Sequence, residues 1–344
     1  MAVPFILLPL YLFFFPCPTG RESVVKPVWA LDLRRPPERA EISDGFDEIF
    51  PFRVGARFGY ASADGRLVYS GVSRYRVALS DKGFIDYGSR PDHLVFMDPR
   101  GLFQYSVQSF GYPLLEPGGE ALYSINTDLG GVKRVSADGE ILWRAGFSSP
   151  ITSIAVLADS CLIGLLDGRA MRFGAGGELA FEIDPSGSRI PVILGTALAE
   201  SGELALVAGI DPQMLILVRG EGYETVRSLN VPSDFRREVF LSYGPTGRFL
   251  YLEQEEGLEV FEPGRDRRDR LSLPGRLKSF AAGREFAAAV SARAEAALLV
   301  VFRPLASPLA VASLSTAPEW SKISDSSLFV GLDDKLLRAD LVER

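Results

Sequence analysis

The sequence predicts an all-β fold, a single β-propeller of four-stranded antiparallel blades, on three observations. The first is a recurring turn-and-strand phrase: Gly65-Arg66-Leu67-Val68-Tyr69, Gly101-Leu102-Phe103-Gln104-Tyr105, Gly139-Glu140-Ile141-Leu142-Trp143 and Gly177-Glu178-Leu179-Ala180-Phe181. A spacing of roughly 36 to 38 residues marks one supersecondary unit repeated, because a single unit cannot bury its apolar face alone. The second is punctuation: 34 Gly and 23 Pro supply turn signals often enough to bound short strands. The third is residues 148–185, which divide into four apolar runs at 151–157, 161–166, 169–173 and 178–183. Tight turns at Ala158-Asp159, Asp167-Gly168 and 174–177 separate them, the plan of one propeller blade.

Taken from the N-terminus, residues 4–15 are almost continuously apolar and end at Pro16-Cys17-Pro18-Thr19-Gly20. About twelve apolar residues are too few to span a bilayer, which needs about 20, and suit the core of a secretory signal. Residues 1–20 are therefore expected to be a signal peptide or short membrane-targeting segment, and 26–344 the propeller domain. An isolated apolar strand follows at 28–33. Residues 46–71 either thicken the first blade or form one more. Four-strand units are then read over 73–107, 109–147, 148–185, 190–231, 238–274 and 277–315. The segment 286–297 has some helical character, but Val290 and the blade rhythm favour two strands. The last segment offers three strands, at 320–323, 327–332 and 336–341, and strand 28–33 is expected to complete it and close the ring. Seven blades are expected, with eight as the alternative.

Composition bounds the function. With 47% hydrophobic and 24% charged residues the chain buries a large core and is not disordered. A net charge of -7 argues against a general nucleic-acid binder. The run Arg265-Asp266-Arg267-Arg268-Asp269-Arg270 alternates with acids and reads as a solvated loop. The single histidine, His93, follows a Pro91-Asp92 turn and reads as a strand-edge residue. No Gly-x-Ser-x-Gly elbow occurs, so Ser-His and Cys-His catalysis lack their parts. With Cys17 inside or beside the leader, Cys161 reads as a buried small hydrophobe, and a His/Cys zinc site is excluded by inventory.

Asp159, Asp167, Asp184 and Asp211 lie near blade turns and have the means to converge on one rim, yet Asp-Gly turns account for Asp64, Asp138 and Asp167 without function. Glu253-Gln254-Glu255-Glu256 reads as a solvated hairpin end. Gly174-Ala175-Gly176-Gly177 joins two strands and is a turn, not a phosphate loop. The periodic aromatics Tyr69, Tyr105, Trp143 and Phe181 read as blade-to-blade packing.

The phrase Ser136-Ala137-Asp138-Gly139-Glu140-Ile141-Leu142-Trp143-Arg144 resembles the repeat of the pyrroloquinoline-quinone-like β-propeller superfamily, in which a D-x-D-G-x-x-x-W phrase joins the last two strands of a blade. Ser136 stands where that pattern has its first Asp. Residues 175–181 and 99–105 are degenerate copies, and WD-repeat propellers are the close alternative. The superfamily includes quinone dehydrogenases and envelope assembly lipoproteins. The dehydrogenases use adjacent cysteines that this chain lacks, so the resemblance implies the non-enzymatic branch, with no catalytic, cofactor-binding or metal residue and no cofactor. The expected function is a non-catalytic binding or scaffold propeller of the cell envelope, exported or periplasmic. It is expected to be monomeric and to hold a protein partner on its rim, without nucleic acid, and to touch membrane only through an uncleaved N-terminal segment. A metal-dependent hydrolase or lactonase, or a small-molecule sensor, is the alternative.

Overall fold

Short apolar runs between turn residues have one way to bury themselves, which is to pair as antiparallel strands and stack the resulting sheets face to face. The computed structural model describes residues 23–35, 49–185, 187–219, 222–294, 296–306 and 308–343. In them, sequential strands pair with their neighbours to form eight sheets. Blade I is β2 (Ile49–Val54), β3 (Arg57–Ser62) and β4 (Leu67–Val72). Blade II is β5 (Arg76–Ser80), β6 (Gly83–Tyr87), β7 (His93–Met97) and β8 (Phe103–Gln108). Blade III holds β9 (Gly111–Leu115), β10 (Leu122–Asn126), β11 (Gly131–Val135) and β12 (Ile141–Gly146). Blade IV holds β13 (Ile151–Val156), β14 (Ser160–Leu165), β15 (Ala170–Gly174) and β16 (Leu179–Ile183).

Blade V runs through β17 (Ile190–Leu198), β18 (Leu204–Ile210), β19 (Gln213–Arg219) and β20 (Glu224–Val231). Blade VI runs through β21 (Leu241–Tyr243), β22 (Leu250–Gln254), β23 (Gly257–Glu262) and β24 (Arg267–Ser272). Blade VII is β25 (Arg276–Ala282), β26 (Ala287–Arg293), β27 (Ala296–Phe302) and β28 (Pro308–Leu314). In blade VIII, β29 (Trp320–Ser324), β30 (Ser327–Leu332) and β31 (Lys335–Glu343) are joined at the outer edge by β1 (Ser23–Asp32). Strand β1 pairs antiparallel with β31 from Val24–Val342 to Asp32–Lys335, with a shift in register at Pro27, which has no N–H to donate.

The expected seven blades are thus corrected to eight. Residues 49–72 form a blade of their own because packing, not strand number, defines one. Phe50, Phe52 and Val54 bury against Phe329 and Leu336 of blade VIII, while Phe58 and Tyr60 bury against Val77 and Phe84 of blade II. Apolar clusters likewise fill the boundaries II–III, III–IV, IV–V, V–VI, VI–VII and VII–VIII. A second strand such as β14 is therefore buried along its whole length, and an outermost strand such as β16 is mostly exposed.

The repeated phrase is the interlock between blades. Its glycine turns at positive φ (+92° at Gly65, +79° at Gly101, +84° at Gly139, +86° at Gly177), which a side chain would strain. Against each glycine lies an aromatic from the outermost strand of the preceding blade. Tyr69 lies against Gly101, Tyr105 near Gly139, and Trp143 against Gly177. Phe181 continues the series by stacking on Tyr223, 4.9 Å away. The aromatic that docks on Gly65 is Trp29 of β1. Trp29 and Trp143 use the same hydrogen bond, donating indole Nε1–H to the carbonyl two residues before the glycine, Ala63 and Ala175, each at 3.1 Å.

Two local expectations change. The arginine run is not all loop: residues 267–272 are strand β24, exposed along most of its length, because the outermost position of a blade requires only one covered face. Glu253 is no solvated hairpin residue either, since it is buried on β22 and held by Arg237 at 2.8 Å. The segment 286–297 forms two strands, as expected. The apolar residues 1–20 lie outside the described residues. Among the described residues no helix is long and apolar enough to cross a membrane.

Candidate functional site

In a four-stranded meander the blade-to-blade linkers and the turns between second and third strands fall on one face, and the remaining turns on the other. The first is called here the linker face and the second, which bears the four phrase glycines, the glycine face. Blade I departs from the others. Ser73 donates its backbone N–H to Ala56 across 2.8 Å, so β2 ends on the linker face, where the inner strands of the other blades begin. The first strands of successive blades pack together around the centre: β5 on β9, β13 on β17, β17 on β21 and β25 on β29, with β2 touching both β29 and β5.

Two cavities flank this centre on the linker side. One, of about 940 Å3, lies between the end of β2, the linker 73–75 and strands β5 and β9. Its wall carries Arg53, Arg74 and Arg76 with Tyr75 and Tyr87. Arg74 is fixed by Asp86, which accepts its Nε–H at 3.1 Å and its backbone N–H at 3.1 Å. Among the described residues Arg53 and Arg76 form no ion pair, and the Arg76 guanidinium lies 5.5 Å from the centre of the Tyr75 ring. The tyrosines form a ladder, Tyr75 to Tyr87 at 6.5 Å and Tyr87 to Tyr112 at 6.4 Å. Burial raises the Tyr87 phenol above its ordinary range, so it stays a neutral donor.

The second cavity, of about 470 Å3, is lined by β13, β17, β21 and β25. Here Arg237 makes a two-pronged pair with buried Glu253, at 2.8 and 3.0 Å, while Arg276 and Lys278 have no carboxylate partner among the described residues. Six cationic side chains and the carboxylate of Glu238 thus stand around the linker-side mouth of an acidic protein, and four of the cations form no ion pair among the described residues. Such a concentration draws anionic groups to the mouth. The glycine-side mouth differs: its cavity of about 600 Å3 carries Glu116 and Glu200 with Lys322, and Lys322 is tied to Asp81 at 3.2 Å.

The residues singled out from sequence are placed as follows. His93 opens β7 and is exposed. Cys161 is fully buried, and burial pushes its thiol up to about 12. Asp167, Asp184 and Asp211 lie on the linker face, Asp167 and Asp211 paired with Arg169 and Arg189 at 2.9 Å each, whereas Asp159 lies in a glycine-face turn. Among the described residues no group of three His, Cys, Asp or Glu side chains is placed to hold a metal ion. Arg53, Tyr75 and Arg76 were not legible as a site, although the linker Ser73-Arg74-Tyr75-Arg76 is a signal: it sets an aromatic between cations where the linker at 148–150 reads Ser-Ser-Pro.

Exposed apolar side chains lie on both faces: Leu102, Phe103, Ile141, Leu142 and Leu179 follow the phrase glycines at the glycine-face ends of the outer strands, and a second set lies on the linker face. Tyr75 and Phe110 lie in linkers, Leu129 and Leu166 in second-to-third-strand turns, and Ile190 opens β17; Phe110 is 62% exposed. Backbone bonds from Ile151 to Leu129 and from Leu166 to Pro150, each 2.9 Å, tie these turns to the linker between them. The result is an apolar belt over blades II to V beside the cationic mouth.

Comparison with known proteins agrees with this architecture. The chain belongs to a family of beta-propeller proteins, whose family model matches residues 1–343. It is 27% identical over 278 residues to an uncharacterized protein of Treponema pallidum (strain Nichols), a match covering 75% of this chain and 70% of the relative. Among solved structures it resembles BamB from Moraxella catarrhalis, with a TM-score of 0.62 and 13% identity over 92% of this chain and all of that one. It also resembles the computationally designed Ika8 protein, with a TM-score of 0.63 and 14% identity over 87% of this chain and 97% of that one. At these identities the likeness to solved structures is one of fold.

Proposed function

We propose that this β-propeller is a non-catalytic protein-binding scaffold of the cell envelope, and that its linker face is the binding surface. The observation that carries this reading is the set of exposed apolar residues Tyr75, Phe110, Leu129, Leu166 and Ile190 on the linker face of consecutive blades, of which Tyr75 also lines the cationic cavity. Large exposed apolar side chains cost solubility, and the linker-face set differs from the one on the glycine face in lying beside uncompensated cations, an apolar patch rimmed by charge as at an interaction site. A rigid ring with short turns suits such a role because its surface loses little conformational freedom on binding. The apolar segment 4–15 supports export to the envelope, the phrase at 136–144 resembles pyrroloquinoline-quinone-like repeats, and the want of adjacent cysteines in the sequence favours the non-enzymatic branch of that superfamily.

The test is site-specific photo-crosslinking in the native cell, with a photoreactive phenylalanine at position 110 or 166 and a control at Val311 on the outer strand of blade VII. A discrete cross-linked protein in the envelope fraction is expected from 110 and 166 and not from 311. Free protein at all three positions, or fractionation of the chain to the cytosol, defeats the reading.

A further inference from the structure

We infer that the linker-side mouth between blades I and III binds an acidic, extended segment of a partner protein, with Arg53 and Arg76 as the carboxylate-binding groups and the ladder Tyr75–Tyr87–Tyr112 as the platform beside them. This rests on the interaction reading above and names the chemistry of the partner. Guanidinium groups recognise carboxylates through paired N–H donors, and these two are not used by any carboxylate among the described residues. Arg74, one position before Tyr75, is held by Asp86, so the linker backbone that presents Tyr75 and Arg76 is anchored on both its side-chain and main-chain donors. Tyrosine and arginine are the residue types that carry most binding energy at interfaces, because they offer large contact area with few rotors and a polar end.

The shape favours a chain over a small anion. The cavity of about 940 Å3 is open toward the channel, and across the channel Arg276 and Lys278 extend the positive lining to blade VII. A segment lying over the mouth meets cations at both ends. Nucleic acid fits less well: carboxylates on the same face, Glu319 near Gly55 and Asp334 beside Arg57, interrupt the continuous track that a repeating phosphate backbone requires.

Fluorescence anisotropy with labelled decaglutamate, decalysine and oligothymidylate on the purified protein tests this. Decaglutamate is expected to bind, to weaken steeply between about 0.05 and 0.5 M salt as the Debye length shortens, and to lose about tenfold in affinity in R53Q/R76Q and more in R53E/R76E. Tyr75→Ala is expected to weaken it with less salt dependence, and Lys322→Glu on the opposite mouth to leave it unchanged. Because the substituted arginines are exposed, unchanged circular dichroism and melting temperature serve as the folding control. Equal binding by R53E/R76E, preference for decalysine, or tighter binding of oligothymidylate overturns the inference. If R53E/R76E abolishes decaglutamate binding but leaves the crosslinks from position 110, both readings stand as separate contacts. If decaglutamate does not bind while those crosslinks persist, the acidic-segment inference fails and the scaffold reading survives.

Discussion

The interlock between Trp143 and Gly177 is the feature whose energetics follow most directly from geometry. Trp143 is half-buried between blades III and IV, donates to Ala175 at 3.1 Å, stacks on Phe173 at 5.7 Å and meets Tyr123 edge-on at 6.1 Å. Losing the hydrogen bond costs about 1 kcal/mol, and losing each aromatic pair about 0.5 to 1.5 kcal/mol. Trp143→Ala is therefore expected to cost about 3 kcal/mol, the low end for a large aromatic because one edge is already wet. A methyl group at Gly177 would lie 2.6 Å from Trp143 Cγ, at a φ of +86°. Gly177→Ala thus combines about 1 kcal/mol of backbone strain with about 1 to 3 kcal/mol of overpacking.

In the double variant the indole is gone, but the Cβ of residue 143 stays 2.8 Å from the new methyl, so the backbone strain and part of the overpacking remain. The two losses are then expected to fall short of additivity by about 1 to 2 kcal/mol, well outside the about 0.5 kcal/mol of independent sites. Urea unfolding of the wild type, both single variants and the double, followed by far-ultraviolet circular dichroism, measures the cycle. Strict additivity, or a Trp143→Ala cost below about 1 kcal/mol, would show that the indole is not seated on the glycine and would return Trp143 to the list of candidate ligand contacts.

Three further outcomes are expected. Arg237→Ala leaves the Glu253 carboxylate buried without its cation and is expected to destabilise by about 3 kcal/mol, measured by urea unfolding, with Arg237→Lys recovering only part because it lacks the fork. Cys161, its thiol raised to about 12 by burial, is expected to be inert to a disulfide reagent at mild alkaline pH until the protein is unfolded; fast reaction of the native protein would contradict its burial in the III–IV cluster. The Asp32 carboxylate accepts hydrogen bonds from Arg34 that hold it down at about 2. A lowered carboxylate contributes stability above its ordinary range and loses it as pH falls through the folded value. Carbon-13 titration is expected to place Asp32 near that low value, and Arg34→Ala to return it toward 3.8; an unshifted Asp32 in the wild type refutes the pairing.

The blade rhythm was legible because it is written locally. Each phrase places a glycine in a turn and an aromatic on the next strand, and the period says that the aromatics pack between blades; that each meets the glycine of the following blade is seen only in the fold. Trp29 belongs to that series but lacks the phrase, since its strand, β1, completes the last blade from the other end of the chain; only the fold sets it on Gly65. Counting four strands per unit led to seven blades because alternation reveals strands, whereas a blade is defined by burial on both faces, and the three strands of residues 49–72 meet that condition.

What the sequence by itself determined is what short-range physics controls: strands from alternation, turns from glycine and proline, and a buried thiol from its apolar run. What only the tertiary structure decided is which distant residues share one space. Glu253 reads as solvated beside Glu255 and Glu256, yet it is buried because Arg237 folds back over it from the preceding linker. Arg53, Arg76, Arg276 and Lys278 come from three blades and gather because ring geometry brings the first strands of all blades to one axis. Sequence separation carries no information about that convergence: the coordinates of a ring's centre are set by the packing of every blade on its neighbours, and the charge that accumulates there is a property of the closed ring.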